Sequence, residues 1–132
     1  MKNKIYLLLL FLFSCTHFSQ EISKENIQGT WNVVETVGKF PDKSLQKSFQ
    51  NAIFIFSPNN NFELKTNSKG KLFSEINAMT KNTKWIISDQ NLNEIRIGNK
   101  KDKYSIMSIQ VSLSKKLFYL KETGIVLKVE KK

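Results

Sequence analysis

The chain has 132 residues and a formal net charge of +10, with one cysteine and one histidine. That length suits a single domain with a modest core and excludes two. Cys15 and His17 both lie within the first 20 residues. The remainder therefore carries no thiol or imidazole for zinc ligation, thiol attack or a Ser-His triad.

Lys2 and Lys4 precede an unbroken apolar run from Ile5 to Phe13. A charged start followed by a short apolar stretch fits a secretory signal and is too short to span a bilayer as a helix. Residues 1–20 are expected to be a signal peptide, and residues 21–132 a single exported domain. Its expected place is the bacterial periplasm, either envelope-anchored or extracellular. Two ends for the leader compete. Cleavage near Ser19 or Gln20 releases a soluble protein. Alternatively Leu12-Phe13-Ser14-Cys15 resembles a bacterial lipobox, which makes Cys15 a lipidated N-terminus and its lipid the protein's membrane contact. An unpaired thiol in an oxidising compartment is a liability unless it is modified or removed.

Past Gln20 the net charge is +8, and Arg96 is the only arginine of the chain. The lysines are dispersed, and guanidinium forks for base or phosphate recognition are scarce. Nucleic acid is therefore not an expected partner, whereas weak attraction to anionic surfaces is.

Strand patterns follow almost throughout. Trp31, Val33, Glu35 and Val37 alternate with Asn32, Val34 and Thr36 up to Gly38, a period of two. Segment 39–51 changes character: Phe40, Leu45 and Phe49 recur at near-helical spacing behind Pro41 and Asp42, a short helix or helical loop. Residues 52–66 read as a β-hairpin, Ala52–Phe56 and Phe62–Thr66 about the turn Ser57-Pro58-Asn59-Asn60-Asn61, whose Pro and Asn residues favour tight turns. Gly70 marks a turn, and Leu72–Ile76 is compatible with a strand. Further strands are expected at Thr83–Ser88, Leu92–Ile97, Lys103–Ser112, Leu117–Glu122 and Ile125–Glu130. The fold class implied is all-β: an antiparallel up-and-down barrel of about eight strands, with the helical segment after the first. Closure of such a meander leaves no exposed edge.

The same residues carry a resemblance. Gly29-Thr30-Trp31 opens the first strand just after the leader. The hairpin Phe54-Ile55-Phe56-Ser57-Pro58-Asn59-Asn60-Asn61-Phe62 follows, then Trp85, Leu92, Ile95, Tyr104, Ile106, Leu117 and Leu120 at meander spacing. Over about residues 27–130 the chain resembles the small lipocalin-like domains of bacterial exported proteins, in the wider group of lipocalins and fatty-acid-binding proteins. The resemblance implies a structural role for Gly29 and Trp31, with Trp31 buried at one barrel end. It also implies an interior that takes a small hydrophobic ligand. In lipocalins an Arg from the last strands crosses that Trp. No Arg follows Arg96 here, so Lys128 or Lys131 has to take its place.

Nothing in the sequence forms a catalytic constellation, and the chain is expected not to be an enzyme. Ser-x-x-Lys occurs at Ser44/Lys47, Ser68/Lys71 and Ser112/Lys115, as often as chance provides in a Lys-rich chain. The carboxylates are scattered. Glu35 is the curious one, since strict alternation from Trp31 turns it inward, unless a bulge or the barrel mouth places it otherwise. No cofactor or metal is expected. Strand alternation turns Phe54, Phe56, Phe62, Trp85, Ile95, Ile106 and Phe118 inward. They line a ligand pocket, or else they fill the barrel, since side chains alone can fill eight strands. Two functions follow from the choice: a carrier of a small hydrophobic ligand, or a filled scaffold that binds a protein partner through its outer surface or loops.

Overall fold

A computed structural model describes residues 21–38, 43–66 and 71–132, except the side chains of Leu45, Lys71, Leu72 and Phe73. The strands β1 (Gly29–Val37), β2 (Ile53–Phe56), β3 (Asn61–Lys65), β4 (Thr83–Ile87), β5 (Glu94–Gly98), β6 (Met107–Ser112), β7 (Leu117–Leu120) and β8 (Ile125–Lys131) run in chain order. They form a closed antiparallel barrel in which each strand pairs with its sequence neighbours and β8 returns to β1.

Side-chain alternation builds this wall. In β3 the inward Phe62 and Leu64 are buried and the outward Glu63 and Lys65 are exposed. In β8 Ile125, Leu127 and Val129 are buried and Lys128 and Glu130 are exposed. Turns fall on asparagines: Asn51, Asn60, Asn82 and Asn93 all adopt positive φ, a conformation that Asn tolerates better than other side chains.

The expected strand from Lys103 begins only at Met107. Lys103 and Tyr104 take φ of 57° and 56°. The carboxylate of Asp102 accepts the N–H groups of Asn99 and Tyr104 at 2.9 and 3.1 Å. This turn folds tightly onto Gly98, where a Cβ would lie 2.7 Å from Asp102 Oδ1 and 2.8 Å from Tyr104 Cα. A closed local turn thus replaces the first residues of the strand.

Three helices complete the described chain: α1 (Lys24–Ile27), α2 (Lys43–Phe49) and α3 (Lys71–Thr80). Helix α2 is the helical segment expected after β1; Phe40, Pro41 and Asp42 lie outside the described residues. It packs on β1 and α3, with Phe49 buried in the core and Gln46 donating to Thr36 Oγ1 at 3.0 Å. The expected strand at Leu72–Ile76 is instead part of α3; the turn at Gly70 lies outside the described residues. Ile76 packs against the core, and Thr80 Oγ1 donates to the Ile76 carbonyl at 2.9 Å. Leu72, Ile76 and Met79 stand at helical spacing, with neither Pro nor Gly before Asn82 to stop a helix.

The end of the barrel beside α1 is built around Trp31, 5% exposed. Its indole N–H donates to the Ile27 carbonyl at 2.8 Å, which draws α1 across the opening and buries Ile27 completely. Lys131, opposite Trp31 on β8, places its Nζ 5.7 Å from the indole centroid. The same ammonium donates to the Asn26 carbonyl at 3.1 Å. Of the two lysines expected to cover Trp31, Lys131 and not Lys128 lies over its ring. Gly29 adopts φ +129°, and a Cβ there would lie 3.0 Å from Lys131 Cε. The lysine tip can move aside; the backbone conformation cannot be relieved so cheaply.

Trp31→Ala is expected to destabilise the protein by about 3–5 kcal/mol, the range for truncating a buried aromatic. Gly29→Ala is expected to cost about 1–3 kcal/mol through backbone strain. Denaturant unfolding at neutral pH measures both, and a Trp31→Ala loss below 1 kcal/mol would contradict the packing described.

Candidate functional site

The interior is the first place to look, because six of the seven residues expected to line it meet there. Phe54, Phe56, Phe62, Trp85, Ile95 and Phe118 are all buried in one core cluster. Ile106 is not among them. It precedes β6 and is only half-buried, and the inward positions of that strand belong to Ile109 and Val111, with Met107 packed behind them. Ile97, inward on β5, pairs with Met107, so the inward set of β6 runs through 107, 109 and 111 and Ile106 falls outside it.

The rings form a continuous chain through the barrel. Phe118 on β7 stands 5.3 Å from Trp31 on β1 and 5.5 and 6.1 Å from Phe54 and Phe56 on β2, centroid to centroid. Phe62 follows at 5.3 Å from Phe56 and 6.1 Å from Phe54. Trp85 closes the chain at 5.4 Å from Phe56, its indole N–H donating to the Ser57 carbonyl at 3.0 Å. These are contact separations for aromatic pairs. Walls three strands apart thus touch through Phe118, and Ile95, Ile97, Ile109, Ile125 and Leu127 pack around them with no exposed surface.

Glu35 does not join this interior. The β1–β8 register shifts between Val33 and Glu35, so Val34 and Glu35 are both exposed. The buried carboxylate is a different one. Glu94, outward on β5, is 2% exposed, with Oε2 accepting from Asn91 Nδ2 at 2.6 Å and Oε1 from Lys121 Nζ at 3.1 Å. Burial pushes its pKa up, but these two hydrogen bonds and the charges of Lys121 and Arg96 outweigh burial and hold it below the usual carboxylate value. A carboxylate kept ionised in this way is badly placed for proton transfer near neutrality. Alternation signals its outward direction; its cover comes from a turn and a strand end far apart in sequence, which no local pattern reports.

Two concavities open on the outside. The larger, about 920 Å³, lies where β3 and β4 pair at only Asn61↔Lys84 and Phe62↔Thr83. Asn61, Lys65, Asn77, Lys81 and Asn82 line it together with Phe62 and Leu64, a mixed wall and not the predominantly apolar one typical of small-ligand pockets. The smaller, about 390 Å³, lies on the outer face of β6–β8 and includes Leu113, Leu117, Tyr119 and Val126. Cys15 lies outside the described residues. Among those residues no group of three or more His, Cys, Asp or Glu side chains could hold a metal.

No protein-family model, curated protein or solved structure matches this chain.

Glu94 ties stability to pH. Its folded pKa lies below the ordinary value of 4.5, so its contribution is present above that value and lost as pH falls through the folded pKa. Lys121 is 41% exposed, and solvent screening limits its share. Glu94→Gln is expected to cost about 1–3 kcal/mol at pH 7, with the difference from wild type shrinking steadily below pH 4.5. Parallel unfolding curves from pH 3 to pH 7 measure this; a difference independent of pH would contradict it.

Proposed function

We propose that this protein is an exported, non-catalytic β-barrel scaffold that acts through its outer surface as a protein-interaction or inhibitor module. The contact of Phe118 with rings on β1 and β2 carries this reading. Inner walls already in ring-to-ring contact leave no slot for an acyl chain between them, and opening one would disrupt close packing of high density. The alternative, a carrier with a hydrophobic ligand in its interior, requires those rings to separate.

The charged start and short apolar run of residues 1–20 support export on sequence grounds. Intact mass of the protein recovered from a producing cell distinguishes the two leader ends. A lipid-modified Cys15 assigns it to an envelope membrane, an unmodified start near Glu21 assigns it to a soluble pool, and an intact Met1 would overturn export.

Titration with an environment-sensitive fatty-acid probe tests the scaffold reading. Wild type is expected to show no saturable uptake, whereas one-to-one micromolar binding would overturn it. Phe118→Ala should cost about 3–5 kcal/mol. It should also create a dry cavity able to admit a small apolar molecule that wild type excludes.

A further inference from the structure

On the outer wall of β6–β8 the alternation is broken at Leu117, Tyr119 and Val126, which are apolar although they stand between the buried inward positions, while Ser108, Gln110, Ser112, Lys128 and Glu130 keep the outward positions polar. Val37 on β1 pairs with Val126 on β8, Val126 with Tyr119 on β7, and Tyr119 with Gln110 on β6. This row crosses four strands. Tyr119 and Val37 are 41% and 38% exposed, and Leu113, Leu117 and Val126 are half-buried along the 390 Å³ concavity. Each of β6, β7 and β8 is paired on both sides. The face therefore offers side chains and no free backbone edge for strand addition.

Its border is cationic. Lys115 lines the concavity, Lys116 follows it in the same turn, and Lys128 pairs across the strand with Leu117. The ion pairs among the described residues are Lys65–Glu63 and Lys121–Glu94, so Lys115 and Lys116 are not neutralised by a salt bridge, whereas Lys128 faces the Glu35 carboxylate across the β1–β8 pair. An apolar hollow with uncompensated positive charge at its edge complements a surface of the inverse design. A second copy of the chain does not provide one, since it brings the same lysines and the same net positive charge. A flat bilayer surface fits a recessed hollow poorly, because Leu117 and Val126 lie below Tyr119 in exposure.

We propose that the concave outer face of β6–β8, with Leu113, Leu117, Tyr119 and Val126 as its floor and Lys115 and Lys116 at its edge, docks an acidic protein partner through apolar side chains. This rests on the scaffold reading and names the surface through which the scaffold acts. Tyr119 supplies a large amphipathic contact at the centre of the patch, the kind of residue on which interface energy concentrates. The lysines hasten encounter and reject basic partners.

The test uses the full-length protein and a fluorescent peptide of about 15 residues carrying Leu and Phe at helical spacing with Glu elsewhere, a pattern that presents one apolar and one acidic face. A counterpart with Lys for Glu and vesicles of phosphatidylglycerol are run beside it. Saturable binding of the acidic peptide is expected, with amide shifts confined to residues 113–119 and 126–128, and no binding of the basic one. Tyr119→Asp and the double variant Lys115→Glu, Lys116→Glu should each weaken binding by about tenfold or more, while Lys100→Glu in the opposite turn should not. All these positions are on the surface, so unchanged thermal unfolding of each variant confirms that the fold is intact. No acidic-peptide binding, shifts elsewhere, or binding of vesicles alone would overturn the docking surface. Uptake of the fatty-acid probe would overturn the scaffold reading instead, so the two failures are distinguishable.

Discussion

The indole of Trp31 is the point at which the chain's two ends and its interior are joined. One polar atom and two faces give it three attachments: the Ile27 carbonyl, the Phe118 ring and the Lys131 ammonium. Each satisfies a different need. The hydrogen bond removes the penalty of burying an indole N–H. The Phe118 contact extends the core from the barrel end into its middle. The lysine covers the outer face of the ring and uses a second proton to cap a carbonyl of α1. Gly29 belongs to this arrangement, because a side chain at its φ would strain the backbone just where Lys131 must pass.

Much of this architecture was legible in the residues alone, because alternation is a two-state signal and most strands keep it cleanly. Phe62 and Leu64 against Glu63 and Lys65 leave little choice of face, and Gly29-Thr30-Trp31 indicated where the first strand starts. Strand β6 starts only at Met107, so Ile106 falls outside the inward set, whereas the bulge allowed for Glu35 is present at Val34 and turns it outward. Leu72–Ile76 does not form a strand, because a short apolar run has no period of its own; the helix shows only when Met79 and Thr80 are included. Glu94 is not legible as a buried acid, because one of its two partners, Lys121, comes from the end of β7, 27 residues away.

The inside and outside of the barrel carry different information. The interior is nearly all apolar side chains and ring contacts, and its content is stability. The outside holds features of another kind: a buried carboxylate held by the part-exposed Lys121, a mixed hollow beside β3, and an apolar row beside lysines. Val37, Val126 and Tyr119 stand in register across neighbouring strands, where β-branched and aromatic pairs add a modest stabilisation to the sheet.

Pairing of β1 with β8 has a kinetic side. Trp31 meets Lys131 only after about 100 residues of intervening chain have been laid down, and a barrel cannot close before its last strand exists. Non-local closures of this kind are slow, commonly milliseconds to seconds for β topologies. The growing chain therefore stays open, with its aromatic series accessible, for as long as its C-terminal strand is withheld. Under the export proposed above, that interval is one in which an unfolded chain can be threaded through a membrane.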